Sequence, residues 1–543
     1  MKTASRGKRG IVISAVTVAA TFTASAVVGA AQGQTAGLGN GSDRMSPAPT
    51  TTAEPYVIPV APRVNIVSHL TVDDLPAGNG YRMVGIPDGL GAFQKRDNVV
   101  AFMNHELTDD AGIVRRHGEQ GAFISRLVIN PDSGAVVRGR DLVSSVRYYH
   151  YRTNSYSDTP GAPEDATYGH TAAFSRFCSA SLTTFRQLFS GASGNGFRGR
   201  LFFGNEEFGD EGRLFATRRN GRSIQLPRLG LFSWENTLAA PNTTDTTMVV
   251  GNEDANPGQL RIYVGRKRPS GGAVHKAGLT NGRLFVVDAV NEAVSTDAEF
   301  RTAYQTGEPA PVVFGAGEEI DWRQSGVEQN VEAAAKGLSL NRIEDGAFDP
   351  RRKNDYYFTT TEGGGTNPNP SEPGNSRDGG GLWRLRFADI ESPERGGTLT
   401  LVLDGTEAPY LSKPDNMEID DEGNLLIQED PGGNDHLARI VAYNLDTGAR
   451  GVVARFDPGL FGVSNPSGAT PDDRAVLTTD EESSGIISTD HQFGDDTFLF
   501  NAQVHTEKGL PPGNGSGTVE EYVERGQLLS MEVDDWSAVY TID

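Results

Sequence analysis

The chain has 543 residues and a formal net charge of −22, because 71 acidic residues outnumber 49 basic ones. That imbalance excludes the broad basic surface on which nucleic-acid binding and attraction to anionic membranes depend. With 37% hydrophobic residues the chain has enough apolar material for a core, and its single cysteine excludes an intrachain disulfide framework. A chain of this length exceeds one ordinary domain unless the fold is a large repeat or barrel.

The amino-terminal segment has the pattern of a secretory signal. Four basic residues among the first nine precede an apolar run over 11–31, which ends in Gly29-Ala30-Ala31. This order predicts export with cleavage and a signal peptide over 1–31; a membrane anchor is the alternative, although Thr, Ser and Gly dilute the run. Residues 32–55 are rich in Gly, Thr and Pro and predict a flexible lead-in. No later apolar stretch reaches the roughly 20 residues of a spanning helix, so we expect a secreted protein, either extracellular or periplasmic.

Strand signals dominate residues 56–543, which we expect to form a single catalytic domain. Short runs of β-branched and other apolar residues, such as Asn98–Met103, recur between clusters of Gly, Asp and Asn. Helix signals are confined to Ser181–Leu188 and Glu328–Leu338. The stretch Gly363–Gly381 is rich in Gly, Pro, Asn and Ser and predicts a long loop. The chain is therefore expected to be all-β, with few short helices and long inserted loops.

One pattern recurs at the strand ends, where an apolar run leads into an amide, acidic or imidazole side chain. For any single occurrence, the ordinary explanation is that polar residues solvate the start of a turn. Seven occurrences favour a radial repeat, because a β-propeller places equivalent strand ends around one axis. We therefore predict a β-propeller, with six blades. Carboxylates crowded at one mouth of its channel repel one another unless cations neutralise them, so we also predict a polynuclear metal site, for which calcium is the first candidate. The strand ends are Asn104–Glu106, Asn205–Glu207, Asn252–Asp254, Glu362, Gln428–Asp430, Asp480–Glu482 and Gln503–His505.

The only cysteine, Cys178, lies in Phe174–Ser181. A free cysteine is usually a small buried core residue. Outside the cytoplasm, however, a lone thiol risks oxidation and intermolecular pairing, and binding to a metal as a thiolate removes that risk. In an otherwise oxygen-rich site a thiolate favours a transition metal over calcium. We therefore expect Cys178 to be a metal ligand.

Motifs of several common enzyme classes are absent from the sequence. There is no Walker loop and no Gly-x-Ser-x-Gly nucleophile elbow, and the sequence after His105-Glu106 does not continue to the His-Glu-x-x-His of zinc proteases. The segment Gly194–Gly199 matches Gly-x-Gly-x-x-Gly. It follows a helix signal and precedes a strand, which is the reverse of the dinucleotide-binding order, and it predicts a turn.

In ordered patches from Asn104 to His505, the chain resembles the PhoX-type bacterial alkaline phosphatases. The resemblance implies a six-bladed propeller that carries ferric and calcium ions and hydrolyses phosphate monoesters. Each matching patch is short, and the order of the patches is what makes the resemblance specific. The patches are Asn104–Glu106, Cys178, Asn205–Glu207, Leu229–Asn236, Gly251–Asp254 before Ile262-Tyr263, Arg342–Asp345, Pro414–Asn416, Glu482–Gly485 and Gln503–His505.

The resemblance also implies roles for single residues. Cys178 would bind iron, Glu235 and Glu344 would bind iron or calcium, and Arg342 would hold a phosphate oxygen. Of the adjacent residues Glu206 and Glu207, side-chain alternation sends only one toward the axis. The full set of expected metal ligands is Glu106, Cys178, Glu206, Glu207, Glu235, Asp254, Glu344, Asp415 and Glu482.

Two expected catalytic residues have ordinary alternatives. Arg342 could form a salt bridge to Glu344 or Asp345 instead of binding phosphate. His505 could be a general acid, a metal ligand or simply a strand histidine. The chain also departs from the family pattern. The interval after Cys178 lacks tryptophan, Trp234–Thr237 replaces a His-Glu-Gly-Ala patch, and there is no twin-arginine signal, so we interpret it as a divergent member.

These observations lead to one preferred function and two alternatives. The preferred function is a secreted, monomeric phosphomonoesterase of alkaline phosphatase type that depends on Fe³⁺ and Ca²⁺ and acts on small-molecule phosphate esters. The first alternative is a calcium-dependent lactonase or phosphotriesterase, because propellers host many chemistries. The second is a non-enzymatic calcium-binding propeller. Cys178 discriminates among them, since a site that holds only calcium has no use for a thiolate.

Overall fold

The fold was analysed in a computed structural model, which describes residues 50–76, 79–161, 167–362, 380–430, 436–461, 481–505, 510 and 513–542. The predicted signal peptide, most of the predicted lead-in and most of the predicted loop Gly363–Gly381 lie outside these residues. The last residues of the lead-in are hydrogen-bonded to the domain: the Thr51 hydroxyl lies 2.7 Å from that of Thr71, and Gln527 donates to the Glu54 carbonyl at 3.0 Å.

Strands are the main secondary structure of the described residues, as the sequence predicts. The first sixteen strands are β1 (Val57–Pro59), β2 (Val64–Thr71), β3 (Pro87–Lys95), β4 (Asn98–His105), β5 (Phe123–Ile129), β6 (Val136–Arg138), β7 (Ser145–His150), β8 (Ser155–Ser157), β9 (Phe177–Leu182), β10 (Leu201–Glu206), β11 (Leu214–Arg218), β12 (Arg222–Gln225), β13 (Trp234–Ala239), β14 (Thr246–Glu253), β15 (Gly258–Gln259) and β16 (Arg261–Arg266). The others are β17 (Arg283–Val286), β18 (Asp288–Ala289), β19 (Ala310–Val313), β20 (Glu319–Ile320), β21 (Ser339–Leu340), β22 (Ile343–Phe348), β23 (Asp355–Thr360), β24 (Gly381–Phe387), β25 (Gly397–Leu403), β26 (Pro414–Ile419), β27 (Asn424–Glu429), β28 (Arg439–Asn444), β29 (Arg450–Phe456), β30 (Glu482–Ser488), β31 (Thr497–Val504) and β32 (Arg525–Val533).

The strands form six sheets arranged around one axis, which confirms the expected six-bladed propeller. In each blade one innermost strand is followed outward by its partners, and the innermost strands contact one another in a closed ring, β3–β9–β13–β22–β26–β30. Strands β15 and β21 pair separately. From the axis outward the blades are I (β3-β4-β5-β6), II (β9-β10-β11-β12-β7-β8), III (β13-β14-β16-β17-β20), IV (β22-β23-β24-β25-β19-β18), V (β26-β27-β28-β29-β1) and VI (β30-β31-β32-β2).

The ring is closed by strands from opposite ends of the chain. Strand β2 pairs antiparallel with β32, with Val64 opposite Val533. Strand β1 similarly completes blade V by pairing with β29, with Val57 opposite Phe456. Two blades therefore combine the beginning and the end of the sequence, and neither sheet is complete without both.

The apolar strand runs are explained by burial on both faces of each blade, because every pair of neighbouring blades shares one hydrophobic cluster. Between blades I and II, for example, the rings of Phe102 and Phe202 meet edge to face at 5.6 Å. Representative members of the six clusters, from the I–II interface to VI–I, are Phe102 with Phe177, Phe203 with Trp234, Val250 with Phe358, Tyr357 with Leu425, Ile440 with Phe498, and Leu499 with Leu90.

The described residues contain five short helices: α1 (Ala273–Lys276), α2 (Asp297–Ala303), α3 (Gly326–Lys336), α4 (Val519–Tyr522) and α5 (Trp536–Val539). Helix α3 confirms the helix expected at Glu328–Leu338, and a capping box between Ser325 and Glu328 begins it. The helix expected at Ser181–Leu188 is wrong, because Leu182 belongs to β9 and pairs with Phe202. In the part of the chain that the structure describes, no helix has the length and apolar character needed to cross a membrane.

Candidate metal centre at the axial strand ends

The innermost strand of every blade carries one potential ligand at the same end. In five of them a β-bulge, where two residues oppose one on the neighbouring strand, contains that residue. A bulge redirects a side chain out of the regular alternation, which is why bulges are frequent beside active sites. In blade VI the irregularity lies two residues after Glu482. The six residues are Asp88, Cys178, Glu235, Glu344, Asp415 and Glu482.

Each bulge leaves a backbone carbonyl without its ladder partner, and the preceding blade supplies a donor. The Asn104 amide of blade I donates to the Cys178 carbonyl of blade II at 2.6 Å, and Asn205 of blade II donates to the Glu235 carbonyl at 3.1 Å. The same relation joins Asn252 to Glu344, Thr359 to Asp415 and Asn501 to Asp88. These five side chains, three of which are amides of the sequence pattern, therefore hold the ligand-bearing backbone in place, since a buried carbonyl left unpaired is destabilising.

The second strands of the blades end in a three-residue pattern whose members do different jobs. In five blades the amide comes first, the middle residue turns into its own blade, and the third residue faces the axial mouth, as alternation along a strand requires. These third residues are Glu106, Glu207, Asp254, Asp430 and His505. Blade IV differs: Thr360 pairs with Ile343 at the middle position, so Thr361 is the third residue and Glu362 lies one residue further along.

In three blades the middle residue is a glutamate that is neutralised inside the blade. Both carboxylate oxygens of Glu206 accept from Arg213, at 2.6 and 2.7 Å. Equivalent buried pairs join Glu253 to Arg261 and Glu429 to Arg439. The structure therefore separates Glu206 from Glu207: Glu206 does not join the axial groups, and we leave it out of the ligand set proposed below.

The axial residues form three groups that could each hold a cation. Within each group, the potential ligand atoms lie within 4.8 Å of one another. Cys178 belongs to two groups and Glu235 also to two, so the three groups make one continuous cluster. They are Asp88, Glu106 and Cys178; Cys178, Glu207 and Glu235; and Glu235, Glu344 and Asp415. We call these residues the axial cluster.

Two arginines border the axial cluster from equivalent positions. Arg176 precedes Cys178 by two residues, as Arg342 precedes Glu344, and both have a positive φ, 43° and 55°. Ile86 and Lys413 share this conformation at the same offset, which costs about 1–2 kcal/mol per residue outside glycine. Such conformations persist where the surrounding structure enforces them, typically at functional sites.

The arginines bind the third-position carboxylates of the blade before. Arg176 donates to Glu106 at 2.7 Å and bridges it to Glu207 at 2.5 Å. Arg342 forms a two-pronged ion pair with Asp254 at 2.9 and 2.8 Å and lies 3.2 Å from Glu344. The salt bridge considered for Arg342 in the sequence therefore exists. Its guanidinium nevertheless remains 30% exposed, and its Nη1 donates to none of the described residues.

His505 lies at the edge of the axial cluster. Its Nε2 is 4.0 Å from Glu482, and its Nδ1 is 3.1 Å from Glu524. Burial lowers the pKa of His505, but the hydrogen bond and charge of Glu524, with the charges of Asp430 and Glu106, outweigh it and raise the pKa to about 9. The ring is therefore cationic at neutral pH.

The electrostatics of the axial cluster favour bound cations. Burial, and then the negative charge of neighbouring carboxylates, raises the pKa of six acids at the axial mouth well above the ordinary value and also raises that of the Cys178 thiol. Two buried oxygens, Asp88 Oδ1 and Asp415 Oδ1, accept a hydrogen bond from none of the described residues. Hard cations bind such oxygens, and a thiolate adds affinity for a transition metal. The acids with raised pKa are Asp88, Glu207, Glu235, Glu344, Asp415 and Glu482.

The structure brings together Glu106, Cys178, Glu207, Glu235, Glu344 and Asp415 as the sequence led us to expect, and it places Asp254, Glu482, Arg342 and His505 around them. Three residues of this site were missed. Asp88 follows Pro87 and precedes Gly89, so its sequence indicates a turn. Arg176 and Glu524 have no sequence signal, although Arg176 repeats the two-residue offset of Arg342 from Glu344.

The chain was compared with family sequence models, curated proteins and solved structures. The sequence model of the family described as alkaline phosphatase PhoX matches residues 216–492, just over half of the chain. In structure the chain is similar to Pseudomonas fluorescens PhoX in complex with vanadate, a transition-state analogue, with a TM-score of 0.59 and 14% identity over 91% of this chain and 98% of that one. A putative 6-phosphogluconolactonase from Bacteroides uniformis has a TM-score of 0.32 at 10% identity, covering 78% of this chain and 81% of its own. No curated protein matches the chain in sequence.

Proposed function

This chain belongs to the alkaline phosphatase PhoX family, and from that premise we propose that it is a secreted phosphomonoesterase that hydrolyses small-molecule phosphate esters at the axial cluster with Fe³⁺ and Ca²⁺. The observation that carries the proposal is the continuity of the cluster: Cys178 and Glu235 each belong to two groups of ligand atoms. Shared ligands hold cations close together, as sites that clamp a transferring phosphoryl group require.

The donor atoms suggest how the two kinds of ion would be distributed. Iron fits the two groups that contain the Cys178 sulfur, because thiolate prefers transition metals. Calcium fits the all-oxygen group of Glu235, Glu344 and Asp415. When bound, the ions supply positive charge that stabilises the phosphoryl oxygens during transfer. Asp254 would remain with Arg342, and Glu482 would complete the oxygen ligands on the side of His505.

The remaining roles fall to residues of the chain itself. Arg342 is held by Asp254, and its Nη1 has no hydrogen-bond acceptor among the described residues, so it can present planar donors to a phosphate oxygen. His505, cationic at neutral pH, would give a proton from Nε2 to the ester oxygen that leaves. A strained backbone at Arg342 supports the role, because the guanidinium is oriented before substrate arrives.

The same observations argue against the two alternative functions. A calcium-only lactonase or phosphotriesterase leaves the position of Cys178 between two ligand groups unexplained. A non-enzymatic propeller disagrees with membership of a phosphatase family. Secretion and a monomeric state remain parts of the proposal that rest on the amino-terminal sequence and on the completeness of the cluster within one chain.

The test combines elemental analysis with activity. The wild-type chain should contain iron and calcium and should release phosphate from 4-nitrophenyl phosphate. We expect Cys178→Ala to lose iron and at least about 100-fold in kcat, whereas the control Ser181→Ala, on the same strand outside the axial cluster, should change neither. Full iron content and activity in Cys178→Ala, or a wild-type protein without phosphatase activity, would overturn the proposal.

A further inference from the structure

His505 and Glu524 face each other because of the register of one hairpin. Strands β31 and β32 are antiparallel, and their last pair is Val504 opposite Arg525. The next residue on each side brings His505 Nδ1 within 3.1 Å of Glu524 Oε2. A carboxylate can only accept, so Nδ1 carries the proton of this hydrogen bond. Nε2, the other ring nitrogen, is thereby turned toward Glu482 beside the axial cluster, 4.0 Å away.

The backbone that presents Glu524 is strained. Val523 ends helix α4 with φ 64° and ψ −70°, and the Glu524 amide donates back to the Tyr522 carbonyl at 2.8 Å. This is a γ-turn of the rare positive-φ form. A β-branched residue avoids positive φ, so the conformation persists only where the surrounding structure enforces it.

Packing from blade I holds the strained turn in place. The Val523 side chain packs against Val84, Leu107 and Phe123. The Gly85 amide donates to the Tyr522 carbonyl at 2.8 Å, and a Cβ at Gly85 would lie 2.2 Å from the Glu524 carbonyl oxygen. Only glycine allows this approach, so the position of Glu524 is fixed from two directions, by its own turn and by blade I.

From this geometry we infer that Glu524 is a positioning residue, which fixes the ring of His505 so that Nε2 serves as general acid to the leaving group; the inference rests on the proposed function. As the ester P–O bond breaks, its electron pair stays on the ester oxygen, which takes the proton from Nε2. The ring is left neutral, with its Nδ1 proton still held by Glu524. Water supplies the oxygen that joins phosphorus, and the proton that this water loses restores Nε2. The products are an alcohol and phosphate.

A kinetic test separates positioning from a structural role. General-acid assistance matters more for a poor leaving group than for a good one. Glu524→Ala should therefore lower kcat for an alkyl phosphate by about 10- to 100-fold, with little change in KM, and should lower kcat for 4-nitrophenyl phosphate much less. Glu524→Gln should retain most of the activity, because its amide oxygen still accepts from Nδ1. In a His505→Ala background, Glu524→Ala should add no further loss.

The matched control is Glu520→Gln, an exposed position on helix α4, which should leave both rates unchanged. Iron and calcium contents should equal those of the wild type in every variant. Equal losses for both substrates, an added loss in the His505→Ala background, or missing metal in Glu524→Ala would overturn the inference and indicate a structural or ligating role.

A second measurement does not depend on activity. In the full-length chain loaded with Ca²⁺ alone, proton NMR should show a downfield Nδ1–H resonance of His505. The resonance should disappear in His505→Ala and Glu524→Ala and remain in Glu524→Gln. If it persists in Glu524→Ala, the inference is wrong. If instead the resonance behaves as expected while the wild type hydrolyses no phosphate ester, the proposed function fails and the positioning of His505 by Glu524 stands.

Discussion

Two sets of buried acidic residues, one position apart in the sequence, have opposite surroundings in this propeller. Glu206, Glu253 and Glu429 turn into their blades, and each meets its own arginine. Glu207, Asp254 and Asp430 follow them directly and face the axial mouth. Together with the bulged residues of the innermost strands, this second set contains more carboxylates than the two arginines at the mouth can neutralise.

The difference shows that acidity alone does not mark the site. A buried carboxylate with an arginine of its own is part of the fold, because the pair is neutral and its hydrogen bonds are satisfied. Six acids at the axial mouth depart from this rule, because Arg176 and Arg342 are each shared between two carboxylates. Burial, and then the negative charge of neighbouring carboxylates, raises the pKa of these six acids. Under the proposed function, these residues are the ligands and bound cations supply the neutralising charge.

The largest effect is expected when a residue that belongs to two of the three ligand groups is replaced. Glu235→Gln should lose bound metal and lower kcat for phosphate monoesters by about 10³- to 10⁴-fold, since a metal ion contributes several kcal/mol to stabilising the transition state. The matched change Glu253→Gln, in the same blade but in the paired set, should keep the metal content of the wild type. Elemental analysis and steady-state kinetics of both variants decide, and equal metal contents in the two would contradict the comparison.

The paired set should respond in stability. Arg213 donates to both oxygens of Glu206 and also to the carbonyls of Thr171 and Ala173. Arg213→Met leaves the buried carboxylate uncompensated and should lower the free energy of unfolding by about 3–5 kcal/mol, as measured by urea denaturation.

A second, compensating substitution tests whether the uncompensated carboxylate causes the loss of stability. Adding Glu206→Leu to Arg213→Met removes the orphaned charge and should recover part of the lost stability, although the Thr171 and Ala173 carbonyls stay unpaired. Metal content should be unchanged in the folded protein. A double variant no more stable than Arg213→Met would show that the carboxylate was not the source of the loss.

The last prediction concerns the sign of the slope of stability against pH. In the metal-free protein the raised pKa of the cluster acids means that the folded state binds protons that the unfolded chain has released above about pH 4–5. Stability should therefore fall as pH rises from 5 to 8, by about 1.4 kcal/mol per pH unit for each extra proton bound. Ion binding requires deprotonated ligands, so the metal-loaded protein should show the opposite slope.

Melting temperatures at several pH values, with and without chelator, measure both slopes. The control is the chelator-treated Glu253→Gln variant, whose altered residue lies outside the axial cluster and should leave the slope of the metal-free protein unchanged. Parallel slopes with and without metal would show that the axial carboxylates are not the ligands.

The propeller could be predicted because the repeat is visible at the strand ends, where each apolar run is followed by a similar set of polar residues. The sequence also predicted most of the axial cluster, including the placement of Glu235, Glu344 and Asp415. It did not distinguish Glu206 from Glu207, because the choice depends on the position of Arg213, which directly precedes the neighbouring strand β11.

The residues that the sequence missed depend on geometry that only the folded chain creates. Asp88 becomes axial through a bulge, and a bulge follows from how two strands pair rather than from either strand alone. Glu524 meets His505 through hairpin register and a turn of positive φ at Val523. The false helix at Ser181–Leu188 has the same origin, since pairing with Phe202 overrides local preference.

The pairing of β2 with β32 has a consequence for the order of events during synthesis. Blade VI contributes Glu482 and His505, and its outermost strand is β2, residues 64–71. This blade therefore cannot close the ring before β30, β31 and β32 have been synthesised. Contacts that join such distant parts of a chain form late and slowly. We therefore expect the proposed metal centre to be completed only after β32 has been synthesised, because an ion taken up earlier would lack the proposed ligand Glu482.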